Sequence, residues 1–160
     1  MRAFFNGVLK INKVMQAIAG VFLTFIILLT TVDVITRLAG YPVPGAVEII
    51  AMCGGIVIGF TVPITSWMKG HIAVDFVLNT LSEKVRNTVD IVTRCVGIAM
   101  FLLISWNSFK IGTGFLEGKE VSGTLEIPLY PVAYALGACF FMLSVVLLCD
   151  IFKIVGGNHE

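Results

Sequence analysis

A chain of 160 residues that is 58% hydrophobic and 13% charged, with a mean hydropathy of +0.98, lies far from the roughly 25% charge of a soluble domain. This is a membrane composition. A net charge of +1, no dense basic block and no interleaving of aromatics with cations leave no electrostatic footprint for nucleic acid.

The basic start MRAFFNGVLKINK leads into a charge-free run from Val14 to Val32. A span needs about 20 apolar residues, so this run qualifies, and with its flanks it covers about 14–36. It is longer than the roughly 7–15 apolar residues of a cleaved signal peptide, and no A-x-A site follows the apolar stretch before TVDVITR, so it reads as a retained signal anchor. The following stretch, Thr36 to Glu48, holds Gly40, Pro42, Pro44 and Gly45. Proline fixes φ and glycine accepts turn geometry, so the chain reverses tightly here. Arg37 and Glu48 flank the reversal. Two readings stay open for them: headgroup anchoring with charge complementarity at a helix start, or a docking surface for an extracytoplasmic protein.

The second span, about 47–68, carries Pro63 among Thr61, Thr65 and Ser66. A kink is expected, with the freed carbonyl satisfied by a nearby hydroxyl or by a partner helix. Gly54, Gly55 and Gly59 allow close helix approach. Packing is the favoured role for this helix over a substrate-binding break.

Next comes KGHIAVDFVLNTLSEKVRN. Gly70 suits a left-handed helix end. Read as a helix over about 71–82, His71, Asp75, Asn79 and Ser82 form a narrow polar stripe, and the broad apolar remainder suits a helix lying in the membrane interface. A metal role for His71 lacks ligands, because zinc needs three or four and the second histidine is His159 near the C-terminus. No histidine lies inside a span to ligate haem. Asp75 is expected to pair with a surface cation or to accept from His71.

The third apolar run, Cys95 to Phe109, is short, and the reading extends it back to Val85, giving a span of about 85–111. The added part carries Arg86, Asp90 and Arg94 at i, i+4, i+8, an ion-pair ladder on one face. A glycine-rich segment of mixed charge then leads to Pro128 and Pro131, at the start of a fourth span of about 127–152 where a missing N–H matters least. Cys53, Cys95, Cys139 and Cys149 stand singly in apolar runs, as buried thiols that pack like small hydrophobes.

The whole chain, 1–160, thus reads as one membrane domain of the all-α class, with four transmembrane helices and a short interfacial amphipathic helix between the second and third. Four spans put Arg2, Lys10, Lys13, Lys69, Lys84, Arg86, Arg94 and Lys153 on one side and only Arg37, Lys110 and Lys119 on the other. By the positive-inside rule both termini are cytoplasmic. The cores of spans one, two and four carry no ionisable group, although a transporter that works alone normally places such groups there. A noncatalytic subunit is therefore expected, with no cofactor and no metal. The competing readings are a self-sufficient small oligomeric transporter, for which Asp33 at a span edge is the candidate acid, and a membrane redox enzyme, which would need a chromophore or a reactive cysteine pair.

Asp33-Val-Ile-Thr-Arg37, the Gly/Pro reversal ending at Glu48, Gly70-His71-Ile72-x-Val74-Asp75 and Thr124-Leu125-x-Ile127-Pro128 occur in an order that resembles the small membrane subunit, the DctQ-like small permease, of tripartite ATP-independent periplasmic (TRAP) transporters. The resemblance runs from about Asn12 to Lys153. One departure is the region before Glu48, where family members often carry a tryptophan and this chain reads Pro44-Gly45-Ala46-Val47. The resemblance implies a bacterial inner-membrane protein, surrounded by membrane lipids and paired with a large permease subunit that holds the substrate and sodium sites. It also implies a scaffold role, help in docking a periplasmic substrate-binding protein, and uptake of organic acids driven by an ion gradient. Arg37, Glu48 and Lys119 are the residues expected on the docking side, with Gly70, His71, Asp75 and Pro128 as motif positions.

Overall fold

The structure, a computed structural model, describes residues 2–68 and 83–155. It contains four long α-helices: α1 (Arg2–Leu38), α2 (Ala46–Trp67), α3 (Glu83–Glu117) and α4 (Tyr130–Val155). Each carries a stretch long and apolar enough to cross a membrane. No strand forms among the described residues, only an isolated bridge between Val121 and Pro128. The expected interfacial helix over 71–82, with Gly70, His71 and Asp75, lies outside the described residues.

The helices outrun the apolar runs that announce them. At 1.5 Å per residue, α1 and α3 are each more than about 50 Å long, while the hydrocarbon core is about 30 Å thick. Their surplus carries the charges: Arg2, Lys10 and Lys13 lie in the first turns of α1, and Arg86, Asp90 and Arg94 in those of α3. No proline interrupts either surplus, so the backbone bonds continue past the last apolar residue.

Helix α4 is the centre of the bundle. It packs against α3 along most of its length and against α2, and α2 in turn packs against α1. Its Cys139, Leu143, Val146 and Cys149 are buried, and Val146 and Cys149 join Val8 of α1 in a small core flanked by Trp67, Met142 and Val145. The α2–α4 contact depends on Gly59, where an added Cβ would stand 2.8 Å from the Leu136 side chain and 3.5 Å from the Cys139 sulfur. Small residues let helix backbones approach where lipid provides no hydrophobic drive for association.

Three kinds of contact tie α3 to α4. Arg94 and Asp150 form an ion pair at 4.0 Å, the buried Ser105 hydroxyl donates to the Gly137 carbonyl at 2.8 Å, and Phe101 stacks on Phe140 with ring centroids 6.1 Å apart. The ladder expected along α3 is thus joined at Arg94 to an acid of another helix; the side chains of Arg86 and Asp90 lie outside the described residues. Three cysteines are buried as expected, but Cys95 is exposed. Helix α3 packs chiefly on α4, and Cys95 faces away from it.

Helix α2 runs unbroken through Pro63. The nearby hydroxyls are engaged within the helix: Thr61 donates to Val57 at 2.6 Å and Thr65 to Thr61 at 3.0 Å, neither to the Gly59 carbonyl that Pro63 leaves free.

Candidate functional site

The α1–α2 and α3–α4 connections lie at the same end of the bundle. Two carboxylates organise it. In the last turns of α1, Asp33 is buried and accepts from Arg37 Nη2 at 2.7 Å and from the Val43 backbone N–H at 3.0 Å. The i, i+4 spacing brings Arg37 onto the acid, and the bond to Val43 folds the α1–α2 connection back over the end of α1. Tyr41 N–H closes the turn by donating to the Thr36 carbonyl at 2.9 Å, and Gly40 takes the left-handed φ of 88° that the turn needs. The Arg37 side chain keeps 59% of its surface exposed, and Leu38 and Tyr41 beside it are among the most exposed large side chains of the chain.

Glu48, in the first turn of α2, reaches across to the α3–α4 connection. Its Oε1 accepts from the Thr124 N–H at 2.8 Å and its Oε2 from the Leu125 N–H at 3.2 Å. Bonds of this kind, with an ionised acceptor, are roughly twice as strong as neutral ones. The connection is itself a narrow turn. Ser122 N–H donates to the Ile127 carbonyl at 2.9 Å, Ile127 N–H to the Ser122 hydroxyl at 3.2 Å, and Leu129 N–H to the Glu120 carbonyl at 3.3 Å. Lys119 and Glu126 occupy left-handed φ of 50° and 54° at its two bends.

A second contact joins the same two connections. Gly45 caps α2 with φ 75°, and the Leu125 side chain fills the space where a Cβ of residue 45 would be. Leu125 therefore contributes a backbone N–H to Glu48 and a side chain over Gly45. Its neighbours on both sides are polar, so the turn is held at its tip and open at its flanks.

Of the residues singled out from sequence, the structure brings Glu48 to Thr124 and Leu125, places Arg37 on Asp33, and puts Pro128 opposite Val121. Pro128 precedes α4 by two residues, and Pro131 falls in its first turn. Lys119 stands exposed at the end of α3. Gly70, His71 and Asp75 lie outside the described residues. Sequence reasoning missed the link from Asp33 to Arg37, whose i, i+4 spacing was the available signal. It also missed the reach of Glu48. There the sequence carried no local signal, because an acid in the first turn of a helix is already accounted for by the helix N-terminus.

Among the described residues no group of three or more His, Cys, Asp or Glu could hold a metal ion. Away from this end, a groove of about 550 Å³ has an apolar lining that includes Ile11, Met15, Phe60 and Phe109. It offers no polar group for chemistry.

A sequence model of the family described as "Tripartite ATP-independent periplasmic transporters, DctQ component" matches residues 26–157. No match is found among curated proteins or among solved structures. The family match covers both connections and all of α2 and α3, and with four helices able to span a membrane it makes the chain a multi-pass membrane protein. The chain belongs to the DctQ component family, the small permease subunits of tripartite ATP-independent periplasmic transporters.

Proposed function

We propose that this chain is the noncatalytic scaffold subunit of an ion-gradient-driven transporter for organic acids. It pairs with a large permease subunit that carries the substrate and ion sites, and its connection end helps to dock a periplasmic substrate-binding protein. Both termini are cytoplasmic, and the protein lies in the bacterial inner membrane.

The observation that carries this reading is the fate of three acids at span edges among the described residues. Asp33 is held by Arg37 and Val43, Glu48 by Thr124 and Leu125, and Asp150 by Arg94. An ion-coupled carrier that works alone normally places acidic groups in or near the spans where they can exchange their partner for the ion. These three are committed to the fold. That also removes support from a self-sufficient small transporter, whose candidate acid was Asp33. The bare apolar faces of α1 and α3, with Val21, Leu103 and Trp106 all more than two-thirds exposed, supply surface for the large subunit and for lipid. The exposed Arg37, Leu38 and Tyr41 supply a basic and apolar rim for docking.

The test is to tag the C-terminus, extract the protein gently from native membranes and identify what copurifies. A stoichiometric large polytopic partner is the expected result. A homogeneous homo-oligomer without such a partner would overturn the proposal.

A further inference from the structure

We infer that Glu48 is a positioning residue for docking: it holds the tip of the α3–α4 connection against the start of α2, so that the two connections present one fixed surface to the binding protein. This rests on the docking role proposed above.

The turn from Gly118 to Leu129 closes on itself through bonds between Glu120 and Leu129 near its base and between Ser122 and Ile127 below its tip. Those bonds shape the turn without fixing where its tip points. The direction of the tip is set by contacts to the other connection: the two N–H groups on Glu48 and the Leu125 side chain over Gly45. Glu48 uses both oxygens on backbone groups of one short turn, which a free docking carboxylate would not. Meanwhile Arg37 and Tyr41 on one connection and Lys119 and Glu126 on the other remain exposed around the join. The partner is thus met by these rim groups, and Glu48 acts through their spacing. A surface ordered before contact binds more tightly because less conformational freedom is lost on docking.

The experiment uses the complete complex in proteoliposomes, with the purified substrate-binding protein of the same system added in increasing amounts. Uptake is read as a half-saturating concentration of binding protein and a maximal rate, for the wild type, Glu48→Ala, Glu48→Gln and Arg37→Gln. Loss of preorganisation raises the half-saturating concentration by about tenfold in Glu48→Ala. Glu48→Gln keeps one acceptor and loses the other, so its rise is smaller, and it serves if the alanine variant yields no complex. The maximal rate per assembled complex stays close to wild type in both.

If the Glu48 variants change only the maximal rate, in proportion to the complex recovered, Glu48 merely stabilises the fold and the inference is overturned. If they change nothing while Arg37→Gln raises the half-saturating concentration, the docking face stands and the positioning role falls. If none of the variants, Arg37→Gln included, alters the half-saturating concentration, the docking role itself is wrong at this end of the bundle.

Discussion

At the scale of single residues, the account turns on side chains that each join two segments of backbone. Gly45 has a left-handed φ of 75° and the Leu125 side chain in the space of a Cβ. Gly45→Ala therefore combines left-handed strain with a clash, a loss on the order of 3 kcal/mol. Leu125→Ala removes the clash only, so the double variant should recover part of the loss, and apparent melting temperatures of the purified complex would show this coupling. A double variant no more stable than Gly45→Ala would mean that the two residues do not meet. Asp33 binds a guanidinium and a backbone N–H with only 9% of its side chain exposed. Asp33→Ala should lower the melting temperature of the complex, chiefly by leaving the Val43 N–H without its acceptor. Full retention of thermal stability in that variant would show that the corner is held by other means.

Helices repeat this logic over longer distances, and here the limits of sequence reading are physical. The four helices are legible because each holds an apolar run near the length of the hydrocarbon core. Their ends are less so: α1 reaches back at least to Arg2 and α3 at least to Glu83, since a helix continues through charged residues as readily as through apolar ones when no proline or glycine stops it. Arg94 read as part of a ladder along α3, because local spacing is what a sequence displays. Its partner Asp150 is 56 positions away on α4. Replacing Arg94 or Asp150 singly by leucine should destabilise the complex, and replacing both should cost less than the sum, as a double-mutant cycle on thermal stability would read. Strict additivity would show no direct interaction. Gly59 could be marked as a packing glycine from its neighbours Gly54 and Gly55, yet only the fold shows that Leu136 and Cys139 are what it meets. Gly59→Leu should push α2 from α4 and lower the yield of intact complex; an unchanged yield would mean that this contact is dispensable.

For the whole molecule, four helices are joined at one end by two connections that bond to each other, and α1 and α3 keep large apolar faces exposed; the proposed scaffold role rests on both features. The candidate docking end was only half legible in the sequence. Arg37 and Glu48 could be picked as charges beside a tight reversal, but the bond from Glu48 to Thr124 and Leu125 spans 76 and 77 positions, and no local pattern encodes it. The proposed sidedness follows from the cations, with Lys10 and Lys13 at one end and Arg37 and Lys119 at the other. A single cysteine at position 119 in a cysteine-free background should react with an impermeant maleimide on intact cells, and one at position 10 should not; the reverse pattern would invert the proposed topology. The role proposed for this chain is to support transport without performing it. It is tested most directly by measuring ion-gradient-driven uptake in liposomes that hold this chain alone, the large subunit alone or both, each with the binding protein present. The account predicts uptake with both and none with this chain alone, whereas substrate accumulation by this chain alone would contradict it.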